Sequence, residues 1–290
     1  MFYSPLRYPG GKTKLASFVK ELFYENKMIG LEYVEPFAGG AGVALSLLFE
    51  EYVSTITIND FDRSVYAFWY SVITDNERFC ERLERVNIDI PTWFQQKEIQ
   101  QDKENSDLFS LGFSTFFLNR TNFSGVINGG VIGGKEQNGK YKINARFNKN
   151  ELIKKIQKIY QYRSRIKVTN RDAVELIQEL DPCFVYLDPP YVSKSKDLYM
   201  NQLMHSDHKK LSRFLLSAQS QFHWLLSYDC NRLIKDLYHA SKNPMHFNLH
   251  YGTSKMRTDE YIFTSKRLKT KTSRKIFNNN STTFHIKAAK

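Results

Sequence analysis

A chain of 290 residues has room for one large domain or two modest ones, and its 41% apolar content can bury a real core. Its 42 Lys and Arg against 30 Asp and Glu leave a formal net charge of +12, which favours a polyanionic partner, most simply nucleic acid. The three cysteines, Cys80, Cys183 and Cys230, are odd in number and far apart, which excludes a disulfide framework and a zinc site. No apolar stretch suits a signal peptide or a membrane span, so a soluble intracellular protein is expected.

Residues 5 to 12 form a Gly/Pro-rich loop that ends in Lys12, ahead of an amphipathic Leu15 to Phe23 that reads as a helix. Gly11-Lys12-Thr13 suggests a phosphate-binding P-loop, but that motif needs a glycine where Leu6 stands. Leu31 to Phe37 reads as a short strand ending at a proline. It runs into Ala38-Gly39-Gly40-Ala41-Gly42 and then a helical Val43 to Glu51. Strand, glycine-rich turn and helix open a nucleotide-binding βαβ unit. The dinucleotide fingerprint fails, because Leu45 occupies its third glycine position. Ser54 to Ile58 reads as a second strand, with Asn59-Asp60 at its end. An acid there, about 20 residues past the glycine turn, is placed to accept the ribose hydroxyls of an adenosine-type ligand.

From about Asp62 to Tyr162 the character changes. Val65 to Ile73 is helical, Gln95 to Asp107 is polar, and Phe113 to Phe123 carries Asn119-Arg120-Thr121-Asn122. Six glycines follow between 125 and 140, in a segment decorated by Lys135, Lys140, Lys142, Arg146 and Lys149. This reads as an inserted recognition region, partly helical, with a β-hairpin or a long ordered loop. Basic and amide side chains on such backbone suit phosphate and base-edge contacts.

The α/β pattern resumes at Ile166 to Thr169, followed by Asp172 and a helical Ala173 to Leu180. Cys183 to Leu187 reads as a buried strand, stopped by Asp188-Pro189-Pro190-Tyr191 because neither proline can donate a ladder hydrogen bond. A helix over Asp207 to Ser217, a strand over His223 to Tyr228 and a helix over Asn231 to Tyr238 follow. Met245 to Tyr251 and Asp259 to Thr264 close the pattern as strands, the last pairs antiparallel. The charge run from Lys266 to Lys275 begins a basic tail, 266–290, expected to be disordered or weakly ordered.

In order and spacing the chain resembles the Dam-type DNA adenine-N6 methyltransferases. The resemblance rests on Arg7 to Lys12, Glu35 to Gly42, Asn59-Asp60, Phe117 to Arg120 with Phe123 to Gly125, and Asp188 to Tyr191. It implies a Rossmann-like methyltransferase sheet with helices on both faces, formed by 1–61 and 163–265. It also implies an inserted, mainly helical target recognition domain over 62–162. S-adenosylmethionine is the implied cofactor and double-stranded DNA the implied partner, with no metal, in the cytoplasm of a prokaryotic cell or a phage-infected host; a monomer is favoured.

The resemblance places Tyr8 and Lys12 against the cofactor, and Phe37, Ala38, Gly39, Gly40 and Gly42 around its methionine moiety. Asp60 would hold its ribose and Asp172 would lie near its adenine ring, with Asp188 beside the reacting group. Asn119, Arg120, Asn122, Lys135 and Lys140 are the implied DNA contacts.

Chemistry supports the catalytic corner independently. An exocyclic adenine amine is a poor nucleophile, because its lone pair is delocalised into the ring. The Asp188 carboxylate and the Pro189 carbonyl can accept hydrogen bonds from both amine protons and so favour the nucleophilic form. Tyr191 can stack on a base turned out of the duplex. Aspartate rather than serine at position 188 favours adenine N6 over cytosine N4 by the family pattern. A cytosine-N4 or RNA adenine methyltransferase, or a catalytically silent DNA-binding module of the same fold, remain the alternatives.

Overall fold

The computed structural model describes residues 2–7, 12, 15–191, 204–217, 221–241, 244–250, 257–280 and 284–288. Its described strands form one eight-stranded sheet in the order β3-β2-β1-β4-β5-β7-β6-β8. The first five are parallel: β1 (Tyr33–Glu35), β2 (Ile56–Asn59), β3 (Ile166–Thr169), β4 (Phe184–Leu187) and β5 (His223–Asp229). β6 (Met245–His250), β7 (Arg257–Thr264) and β8 (Phe284–Ala288) add an antiparallel edge.

Alternation along the strands divides the apolar residues between two cores. Tyr33, Phe184, Tyr186 and Leu225 face one way, towards α1 (Leu15–Glu25), α2 (Gly42–Phe49) and α3 (Arg63–Thr74). Val34, Val185, Leu187 and Leu226 face the other, towards α8 (Ala173–Gln178), α9 (His205–Leu216) and α10 (Arg232–Leu237). All four residues of β4 are buried, as expected of a parallel strand covered on both faces. Helices therefore lie on both faces of a doubly wound sheet, as the sequence pattern implies.

The chain leaves β1 for β2 and β3 on one side, and later adds β4 and β5 on the other. The order thus reverses between β1 and β4, and in open α/β sheets the crevice that binds ligands lies at such a point, beyond the carboxyl ends of the strands. Between β2 and β3 the chain detours through α3, α4 (Asn76–Arg85), α5 (Ile90–Gln101), α6 (Leu108–Thr121) and α7 (Lys149–Gln161). The polar stretch around Gln95 is thus mostly helix, with Asp89 capping α5 at Thr92. No two-stranded hairpin forms in the glycine-rich segment; its pairing is the single bridge between Asn122 and Val131, followed by turns.

α3 and α6 pack closely because Gly112 presents no side chain to Ala67. A Cβ on Gly112 would overlap the Ala67 carbonyl oxygen and lie 2.8 Å from Ser71 Oγ. Gly112→Ala is therefore expected to cost about 2 kcal/mol by overpacking. A thermal melt should show the midpoint lowered by about 5 °C, and an unchanged midpoint would mean that the helices part freely.

The basic tail does not fit its expectation of disorder. Residues Lys271–Asn280 form α11, whose Phe277 meets Phe18 of α1 edge-on at 5.8 Å. Glu25 accepts hydrogen bonds from the Thr272 and Ser273 amides and so caps α11 from outside. Asn278 holds both the amide and the carbonyl of Ile286 in β8. The charges of the run obscured apolar positions, Leu268 and Phe277, that reach the core.

Candidate active site

Two strand ends face each other across the crevice. After β1 the glycine turn is pinned from three directions. The Ala38 amide donates to the Asn59 carbonyl, and the Gly39 amide to Asp60 Oδ2 at 2.9 Å. The indole of Trp69, from the inserted region, donates to the Gly39 carbonyl at 2.9 Å. Gly39 and Ala41 both take left-handed backbone, φ +46° in each case. Alanine pays a steric cost in that region, so the surroundings over-determine the turn. Phe37 is half-buried beside it, and Gly40 and Gly42 complete the turn and start α2.

At the end of β2 the Asp60 carboxylate takes the Gly39 amide on one oxygen and the Asp62 amide on the other, at 2.9 Å each. Burial, helped by the neighbouring Asp62, raises Asp60 to about 7. Its lone pairs are not exhausted by two donors, so it can still accept hydroxyls. Asn59, fully buried, donates to the carbonyls of Pro36 and Arg171 and accepts from Thr169 and the Arg171 amide. It thereby ties the ends of β1, β2 and β3 into one rim. Asp172 caps α8 with Oδ1, at Val174 and Glu175.

In the sequence Glu35 opens the motif around the glycine turn, but nothing there assigns it a role. It is buried at the start of α2, where its carboxyl accepts the Ala44 amide at 2.9 Å and the Tyr33 hydroxyl at 2.8 Å. Burial raises it to about 8. A phosphate-binding βαβ unit leaves its helix N-terminus open to an anion. Here an acidic side chain fills that place. The site therefore suits an adenosine-type ligand without phosphates.

Opposite, Asp188 follows β4. Its Oδ1 accepts from Ser227 Oγ at 2.8 Å, lies 3.4 Å from the Tyr191 hydroxyl and 3.4 Å from Lys12 Nζ. Ser227 is braced in turn by the Tyr186 hydroxyl at 2.9 Å. Oδ2 has no partner among the described residues, and the side chain keeps 24% of its exposure. One carboxylate oxygen is thus anchored and the other is available to the crevice. Lys12 also pairs with Glu260 of β7 at 2.9 Å, hydrogen bonds to the Tyr191 hydroxyl, and lies 5.0 Å from that ring's centroid. Pro189 is buried and Tyr191 exposes 6% of its surface. Tyr8 lies outside the described residues. Among them, no group of three or more His, Cys, Asp and Glu is placed to hold a metal ion, and no helix is long and apolar enough to cross a membrane.

The residues expected at DNA divide. Asn119 is 1% exposed and spends its amide on the Arg7 amide, the Arg7 carbonyl and the Gly125 carbonyl. Asn122 is fully buried, accepting from the Trp93 indole and donating to the Val126 and Ile127 carbonyls. Both NH₂ groups are fully used and both side chains are buried, so as placed they are scaffold rather than readers. Arg120 holds the Arg146 and Pro5 carbonyls. Lys135 and Lys140 are exposed beside the rings of Phe94 and Tyr141.

A switch point in a doubly wound sheet, with Asp60 and the glycine turn on one side and an Asp-Pro-Pro-Tyr corner on the other, is the arrangement of Rossmann-like methyltransferases. Within that group the chain belongs to the D12 class of N6 adenine-specific DNA methyltransferases, whose family model matches residues 8–284. It is similar to a Type II methyltransferase, M.MjaIII, of Methanocaldococcus jannaschii: 26% identical over 208 residues, covering 66% of this chain and 70% of that relative. The chain is thus an adenine-specific DNA methyltransferase that uses S-adenosylmethionine as methyl donor.

Proposed function

We propose that this chain methylates one adenine within a specific duplex sequence, turning the base out of the stack into the crevice between β1 and β4, in a restriction-modification setting. The observation that carries the reading is the anchored Asp188 at the head of Asp188-Pro189-Pro190-Tyr191, with Oδ1 fixed by Ser227 and the side chain still 24% exposed. In this reading residues 1–61 and 163–265 bind the cofactor and 62–162 recognise DNA. Asp60 accepts the ribose hydroxyls, Phe37 and Ala38 to Gly42 enclose the methionine moiety, and Asp172 lies near the adenine ring. Tyr8 and Lys12 close the near side. S-adenosylmethionine, when bound, supplies an electrophilic methyl group.

The protein's own part is positioning and charge. Asp188 and the Pro189 carbonyl accept hydrogen bonds from the amine's two N–H groups, localise its lone pair, and face the positive charge that develops on nitrogen; after the methyl has been transferred, one N–H proton passes by way of Asp188 to solvent. Tyr191 stacks on the extruded base. The deciding experiment incubates the protein with labelled cofactor and duplex DNA, then digests the product to nucleosides. Label in N6-methyldeoxyadenosine is expected. Label in N4-methyldeoxycytidine, or transfer to RNA alone, would replace this reading with another methyltransferase, and cofactor binding without any transfer would leave only a DNA-binding module.

A duplex needs a cationic track, and four side chains supply one. Arg7, Arg120, Arg146 and Lys155 form no ion pair with a carboxylate among the described residues. Arg7 and Arg120 donate to main-chain carbonyls, as Lys155 does to that of Ser4. Burial and Arg146 lower Arg7, burial, Arg7 and Arg146 lower Arg120, and burial and Arg120 lower Lys155, with Glu151 opposing on Lys155. Cations crowded together in this way are relieved by phosphates. Arg146→Gln and Lys155→Gln should each weaken DNA binding across all sequences and reduce the slope of log K against log salt by about one. A slope unchanged in both variants would move the track elsewhere.

A further inference from the structure

Glu260 sits where no catalytic motif points. It lies on β7, paired across the sheet with Asp229 of β5, two positions beyond the Ser227 that anchors Asp188. It is 2% exposed. Its Oε1 accepts from Lys12 Nζ at 2.9 Å and from the Tyr191 hydroxyl at 2.7 Å, while Oε2 accepts no hydrogen bond among the described residues. A buried carboxylate with one oxygen unsatisfied is costly to keep. Burial pushes it towards its neutral form against the pull of Lys12.

The geometry shows what the cost secures. Lys12 Nζ lies 2.9 Å from Glu260 but 3.4 Å from Asp188 Oδ1. One buried ammonium is shared by two carboxylates, so the cluster of Lys12, Glu260 and Asp188 keeps one net negative charge when all three are ionised. Without Glu260 these groups would lose that surplus negative charge, and Asp188 would be the described carboxylate nearest Lys12. An acceptor already neutralised by an ammonium is a weak acceptor for an amine that must become cationic. The hydroxyl of Tyr191, held by Glu260, fixes the ring that borders the same corner.

We infer that Glu260 is a positioning residue for methyl transfer: the buried counter-ion that takes the shorter contact of Lys12 (2.9 Å against 3.4 Å to Asp188) and of the Tyr191 hydroxyl (2.7 Å against 3.4 Å), so that the Asp188 charge is only partly spent on them and is left for the target amine. This rests on the methyltransferase reading above. Glu260 touches neither the base nor the cofactor in this role. It acts through Lys12 and Tyr191.

The test is a double-mutant cycle on the full chain with Glu260→Gln, Lys12→Met and the pair, read in three ways. Thermal melting without ligands is expected to show each single variant destabilised and the pair closer to wild type than the sum of the two losses. In single-turnover methylation of duplex DNA, Glu260→Gln should lose at least about tenfold in rate, with DNA and cofactor affinities within about twofold of wild type. Glu260→Asp should recover part of the rate. The double variant should be no slower than the slower single variant, because Glu260 has no Lys12 left to restrain.

Additive losses in melting and rate would overturn the inference. So would Glu260→Gln matching wild type, or losing affinity in step with rate. If Glu260→Gln does not fold, Glu260→Asp carries the same comparison, since its shorter side chain keeps the charge but lengthens the pair. A wild-type protein that transfers no methyl group would sink the functional reading instead, whereas an active wild type with an equally active Glu260→Gln would sink this inference alone.

Discussion

With Asp188 replaced by alanine, methyl transfer is expected to fall by about 10³-fold while cofactor binding survives. The size follows from what Asp188 does. Removing one preorganised group aimed at developing charge costs two to three orders of magnitude in rate, and here the group also localises the nucleophile's lone pair. Survival of binding follows from the sheet. Asp60 and the glycine turn hang on β1 and β2, and their bonds run to Asn59, Trp69 and Asp62, none of which touches Asp188. Asp188→Asn should be nearly as inactive. Its amide keeps one acceptor, but Ser227 and Lys12 both donate to that corner at 2.8 Å and 3.4 Å. They would draw the remaining oxygen and turn the NH₂ towards the amine. Rapid-quench methylation with calorimetry on the same preparations reads both quantities. An alanine variant within tenfold of wild type would remove Asp188 from the mechanism.

The second large effect is a pH dependence in cofactor affinity. Ribose hydroxyls donate, so they need Asp60 ionised, and Asp60 is raised from its usual 3.8 to about 7 by burial and by Asp62. Affinity should therefore rise with pH through neutrality. The dissociation constant at pH 6 should be about tenfold that at pH 8. The folding sign is opposite. A raised carboxyl stabilises the fold fully below its unfolded value and loses that contribution as pH rises through about 7. Neutral pH thus trades some fold stability for a charged ribose acceptor. Glu35, raised to about 8, titrates nearby, so Asp60→Asn is the needed control. It should bind weakly and lose the trend between pH 6 and 8. Equal pH profiles in the two proteins would assign the titration elsewhere.

The parts of the site that were legible in the sequence are those that break a pattern. Asp188-Pro189-Pro190-Tyr191 interrupts a strand, the glycine turn interrupts a βα junction, and Asp60 ends a strand with a charge. Glu260, Ser227 and Glu35 break nothing. Each lies in or at the end of a strand that its apolar neighbours already define, and only cross-strand pairing brings Glu260 and Ser227 to Asp188. Asn119 and Asn122 misled for the opposite reason. Amides near basic residues suggest base reading, yet their immediate surroundings held unsatisfied carbonyls and an indole that the chain itself had to serve. α5 escaped because it buries Gln96 and Gln100 as well as Trp93, which erases the apolar stripe that marks a helix.

The central strand also carries a timing problem. β1 emerges early in synthesis, and its parallel pairing with β2 needs only the crossover through α2. Its other edge waits for Phe184 and Val185, after the whole helical detour has been made. Until then Tyr33 and Val34 present an open, apolar strand edge, the kind of surface on which nascent chains misassociate. Refolding should accordingly show native-like helix content from α3 to α7 before the sheet closes, with pairing of β1 to β4 as the late step of high sequence separation. The crevice for cofactor and base lies between those two strands, so binding competence should appear only at the end of folding.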